Sequence, residues 1–167
     1  GAVQHHFASK SDMLAAVLED GFRSLSFELE HVLFVGKSLP ERVALFIDHC
    51  WLHFRQPAFQ ANLHILLGMR NESPKALDEW MQGPLAAISL LGSEQWLNVF
   101  ADVDLPAEQH NEILYYVFSS MSGIVTFSRI IGAQSQAALI ESNIGVLKDL
   151  LLARFLPLVK KSRAPRK

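Results

Sequence analysis

The chain has 167 residues, a formal net charge of −2 and an apolar half, enough for one large domain, or a domain with a fragment of a second, and an interface besides. That charge argues against a nucleic-acid binder acting through this stretch alone. A single cysteine, Cys50, excludes an internal disulfide and points to a reducing cytoplasm, and no apolar run approaches the roughly 18 residues of a membrane span.

The first residues, GAVQHHFASKSDMLAAVLED, read as the end of a short helix, a tight connection and the start of a longer helix. Ser9 suits an N-cap, because its hydroxyl accepts from the free N–H groups of the next turn. Asp12, three positions on, completes a capping-box-like pair. Lys10 then falls in a first helical turn, where a cation opposes the helix dipole. A phosphate outside the protein would give it a purpose, since a helix N-terminus already offers free N–H groups to an anion. Over residues 10–32, Leu14, Val17, Leu18, Phe22, Leu25, Leu29 and Val32 recur at spacings of three and four, opposite Asp12, Glu19, Arg23 and Glu30. Gly36-Lys37-Ser38 breaks this amphipathic helix.

A second helix is expected over 40–56, opened by Pro40 and striped by Val43, Phe46, Ile47, Cys50, Trp51 and Phe54; Pro57 stops or turns it. A short helix follows over 58–69. Ser73-Pro74 caps a long helix over 74–100, whose apolar stripe runs in phase across Gly83-Pro84, so Pro84 is expected to kink it rather than end it. The helix over 106–131 is polar at first and then nearly apolar all round, which predicts cover on every side. A short loop at 132–135 sets the last helix, over 136–159, antiparallel to it. No period-two run suggests a strand, so the fold class is all-α.

The run Gln4-His5-His6-Phe7-Ala8-Ser9-Lys10, followed by Met13-Leu14 and Val17-Leu18-Glu19, resembles the TetR family of bacterial transcriptional regulators. There, an aromatic–x–His–Phe–x–x–Lys signature joins the recognition helix of a helix-turn-helix to the helix that carries motion from the ligand domain. His6, Phe7 and Lys10 match it. Gln4 stands where the family usually has Tyr, though Gln also reaches a phosphate. The resemblance covers about an eighth of the chain and implies that the family's first two helices would precede Gly1, so that this stretch alone should bind DNA poorly. It divides the chain into residues 1–32, the remnant of a DNA-binding head with its linking helix; 36–160, a TetR-like ligand-binding and dimerisation domain; and a basic tail at 161–167, read as a solvated end.

On this resemblance Gln4, His5, His6 and Lys10 would face operator DNA, and a homodimer would form through the helices at 106–131 and 136–159 as a four-helix bundle. Ser119, Ser120, Ser122 and Gly123 would permit close approach. The alternative is that this pair is the inner core of a monomer. The middle helices hold many large side chains, and Phe46, Trp51, Phe54, His64, Trp80, Met81, Phe118 and Met121 are candidates for a cavity that takes a small apolar or amphipathic molecule. Each taken singly also reads as ordinary core. His49 and His53, four apart, share a helix face but have no third ligand nearby in sequence; surface or pocket-rim positions fit them better than a metal site. His64 reads as a core histidine or a ligand contact. No cofactor or metal is expected, and no nucleophile elbow, phosphate loop or Cys-x-x-Cys pair suggests an enzyme. The expectation is a ligand-responsive regulator, a repressor released from its operator. The alternative is an all-helical small-molecule module with no DNA role.

Overall fold

The computed structural model describes residues 9–30, 32–131 and 137–160. Among these, seven α-helices follow in order: α1 (Lys10–Glu30), α2 (Leu39–Phe54), α3 (Pro57–Glu72), α4 (Pro74–Gln82), α5 (Pro84–Val99), α6 (Ala107–Ile131) and α7 (Ala137–Phe155), with a 3₁₀ turn at Leu156–Leu158. The all-α expectation holds, and no described helix is long and apolar enough to cross a membrane.

Local chemistry explains the helix ends. Ser9 Oγ accepts from the Asp12 N–H at 3.1 Å and donates to the Asp12 carboxylate at 2.8 Å, so α1 starts where its capping pair predicts. A second capping box, Ser38 with Glu41, opens α2: the Glu41 carboxylate accepts from the Ser38 hydroxyl at 2.7 Å and from its N–H at 2.8 Å. That hydroxyl, then the N–H, holds the Glu41 carboxyl below its ordinary value.

Two expectations about helix ends are corrected. The long helix over 74–100 is two helices: Gly83 takes φ −104° and ψ −97°, its N–H returns to the Glu79 carbonyl at 3.1 Å, and α5 begins at Pro84. Proline has no N–H to continue the ladder and disfavours helical geometry in the residue before it, so local sterics outweigh an apolar stripe that stays in phase. The final helix stops at Phe155, and the chain passes through the 3₁₀ turn into an isolated antiparallel bridge between Val103 and Val159. The connection at 132–135 lies outside the described residues.

The chain divides into two compact units, each drawn from two stretches: Gly1–Val32 with His49–Gln95, and Leu33–Asp48 with Trp96–Lys167. In the first, Leu18 of α1, Met69 of α3, and Leu77 and Trp80 of α4 are buried together, with Leu14, Ala15, Phe22, Ile65, Leu66 and Leu85 packed on them. Gly21 has a specific reason here: a Cβ on it would lie 1.9 Å from the amide nitrogen of buried Asn62, so glycine lets α3 approach α1. In the second, Phe46, Trp96, Phe100 and Phe155 form a ring cluster with centroids 4.5–6.0 Å apart.

Helix α6 is not covered on every side. His110, Leu114, Val117, Met121 and Val125 are buried along one stripe, whereas Tyr115, Tyr116, Phe127 and Ile130 are exposed. The exposed side chains lie on the other side of the helix from this stripe.

Candidate functional site

Of the residues expected at DNA, Gln4, His5 and His6 lie outside the described residues. Lys10 is exposed at the start of α1, and its ammonium lies 3.4 Å from the Glu72 carboxylate of α3. Both side chains are about 70% exposed (73% and 71%), so this pair is worth little and would yield to a phosphate.

The eight residues expected around a ligand divide between the units. Trp51, Phe54, His64, Trp80 and Met81 belong to the first; Phe46, Phe118 and Met121 to the second. Phe46, Phe54, Trp80 and Met121 are buried, Trp51 and Phe118 half-buried, and Met81 exposed. His64 is exposed, which corrects its reading as a core histidine: its side of α3 turns away from the stripe of Phe59, Asn62 and Met69. His53 is buried rather than on the surface, with its ring edge-on to Phe59 at 5.1 Å, while His49 is half-buried. Among the described residues no three His, Cys, Asp or Glu side chains converge on a point that could hold a metal. Cys50 is buried on the α2 stripe, as an unreactive core position requires.

In the first unit the structure assembles an aromatic group around α1. Phe22 meets Phe59 edge-on at 5.8 Å and Trp80 at 6.1 Å, and Phe59 packs against Phe54 at 4.3 Å. Three buried polar side chains stand with it: His53, Asn62 and the indole N–H of Trp80. The Trp80 Nε1 is buried and has no hydrogen-bond partner among the described residues. An apolar, ring-lined group with a few polar atoms has the composition of a small-molecule site. Phe22 joins it through α1, a contributor absent from the sequence-based set although it lies on the α1 apolar stripe.

In the second unit the buried tryptophan has a partner. The Trp96 Nε1–H donates to His110 Nδ1 at 3.1 Å, and His110 Nε2 lies 3.4 Å from the Val103 carbonyl. Tryptophan only donates, so Nδ1 accepts, the ring proton sits on Nε2, and Val103 receives it. The sequence signal for His110 was its position four residues before Leu114, on the same buried stripe. Arg42, 11% exposed, holds the Asp102 carboxylate through two nitrogens at 2.6 and 2.7 Å, donates to the Val99 carbonyl and lies over the Phe100 ring. These bonds from Arg42 hold the Asp102 carboxyl below its ordinary value.

Helices α6 and α7 also share an exposed face. Tyr116, Ser120, Gly123 and Phe127 recur every three or four residues along α6; Leu139, Asn143, Val146 and Leu150 do so along α7. These residues, Val146 apart, line two shallow hollows of about 300 and 340 Å³ between the helices. From Tyr115 to Ser128 the α6 sequence holds no charge. No family model matches the chain, and neither the curated proteins nor the solved structures yield a match.

Proposed function

We propose that this chain is the ligand-sensing and dimerising part of a DNA-binding transcriptional regulator of TetR type, acting as a repressor that a small apolar or amphipathic molecule releases from its operator. The observation that carries the reading is α1. It starts with a capped turn directly after the His6-Phe7-Ala8-Ser9-Lys10 run, and its far side packs Leu14, Ala15, Leu18 and Phe22 into the core shared with α3 and α4. One helix therefore joins the stretch that resembles a DNA-binding head to an aromatic core. A molecule that binds that core better in one position of α1 than another lowers operator affinity by that difference and no more.

The exposed face of α6 and α7 supports dimerisation. Tyr116 is 53% exposed, Phe127 57% and Val146 52%. Apolar surface of this extent, with small residues at its centre, suits a two-fold four-helix contact. The dimer would set two recognition helices one DNA turn apart.

The test of the DNA role is fluorescence anisotropy of the full-length encoded protein on its own upstream DNA across a salt series. Specific binding at least ~10³ tighter than to random DNA is expected. Lys10→Ala should weaken binding to every sequence alike and reduce the salt slope by about one; weak, sequence-blind binding by the parent protein sinks the reading. For the dimer, Val146→Asp should weaken self-association about 30-fold or more by sedimentation equilibrium, with the urea midpoint of the separated chains almost unmoved. A parent chain that is monomeric at every concentration contradicts this part.

A further inference from the structure

We infer that the Trp80 indole N–H is the polar anchor of the ligand site, and that it selects apolar molecules carrying a neutral oxygen acceptor such as a ketone. The inference deepens the regulator reading and rests on it for its consequence at DNA.

Trp80 is 4% exposed, and its Nε1 has no acceptor among the described residues. A buried donor left unpaired bears its full desolvation cost, and folded proteins keep few of them. The chain is able to supply an acceptor to a tryptophan, as His110 does for Trp96. Leu18, Phe22, Met69 and Leu77 pack with Trp80 and surround it mainly with apolar side chains. A charged ligand group would be stranded there, whereas a carbonyl oxygen would satisfy the N–H while the rest of the molecule stays among apolar side chains.

Helix α4 is the element that can give way. It has nine residues, lies between Ser73-Pro74 and Gly83-Pro84, and its Ser73 N-cap makes no side-chain hydrogen bond. A helix this short is not stable by itself, so Leu77 and Trp80 hold it in place. A molecule seated under Trp80 displaces those contacts and meets Phe22, whose ring is 6.1 Å from that of Trp80. Phe22 lies on α1, so the same event presses on the linking helix.

Two probes of nearly one shape, acetophenone and α-methylstyrene, differ in C=O against C=CH₂. They are titrated into the ¹⁵N-labelled chain while the indole N–H resonances of Trp51, Trp80 and Trp96 are followed. Acetophenone should move the Trp80 resonance downfield and α-methylstyrene should not. The ketone-to-alkene affinity ratio should fall about tenfold in Trp80→Phe relative to the parent, a comparison that cancels the difference in hydrophobicity of the probes, and stay unchanged in Tyr115→Phe. A ratio unaltered by Trp80→Phe, ketone binding with the Trp80 resonance still, or no binding of either probe overturns the assignment. Operator binding of the full-length protein is scored separately. Specific binding without a Trp80-dependent preference loses this inference alone, and the preference without operator binding loses the regulator reading alone.

Discussion

The two units solve the same problem in opposite ways. Each buries a tryptophan in an aromatic cluster, Trp80 at 4% and Trp96 at 0% exposed. Trp96 donates its N–H to His110, and His110 donates its Nε2–H to the Val103 carbonyl, so this tryptophan is the start of a chain of hydrogen bonds. Trp80 keeps its N–H without an acceptor among the described residues. A paired buried donor ties a core to one arrangement, while an unpaired one leaves a core that a suitable partner can stabilise. The Trp96 donor is committed within the fold, and the Trp80 donor is not committed among the described residues.

The largest effect that would break this contrast comes from matched substitutions. Trp96→Phe removes the donor and strands His110 Nδ1 in a fully buried cluster, so urea unfolding should show a loss of about 2–4 kcal/mol. Trp80→Phe removes a donor that has no partner, so relief of its desolvation cost offsets part of the lost packing and the net loss should be about 1 kcal/mol or less. Equal losses would mean that the two tryptophans are held alike.

Next is the Arg42–Asp102 pair of the second unit. Arg42→Met should cost about 1–2 kcal/mol, toward the low end because Asp102 is 41% exposed and water screens it. The folded Asp102 carboxyl lies below its ordinary value, so its contribution is present above the unfolded value, about pH 4, and fades as pH falls through the folded one. Asp102→Asn should therefore flatten the acid side of the stability profile and leave the neutral side flat. A profile in Asp102→Asn as steep as the parent's below pH 4 would assign the acid loss to other carboxylates.

The smallest effect sharpens the picture of the first unit. Ser9→Ala removes the cap of α1 and should cost about 1 kcal/mol. Because α1 also carries Leu14, Leu18 and Phe22 into the core, amide exchange should rise in its first turn and not beyond. Exchange rising along the whole helix would show that the cap, rather than the core, holds α1.

Helical class, the start of α1 and most of the buried stripe of α2 were legible, because periodicity and capping act over a few residues, whereas the single buried stripe of α6 was not, its sequence being apolar nearly all round. Ser9 with Asp12 marked the start of α1, and of the stripe expected on α2 Val43, Phe46, Ile47, Cys50 and Phe54 are buried while Trp51 is half-buried. Gly83-Pro84 carries a break signal as well, and there proline's sterics outweigh a stripe that stays in phase. The candidate site was only partly legible: large apolar side chains in the middle helices pointed to it, but eight of them divided between two units, and His64 faced outward. Which residues meet across helices depends on rotation and crossing, and these are decided by packing between segments distant in sequence. Thus Gly21 against Asn62, Phe22 against Trp80, the Trp96–His110 bond and the Val103–Val159 bridge belong to the tertiary structure alone. Whether a buried donor finds its acceptor is likewise decided only when the chain has closed on itself. The sequence determined where this protein forms most of its helices, and tertiary packing decided which polar groups of those helices are buried and which of them find a partner.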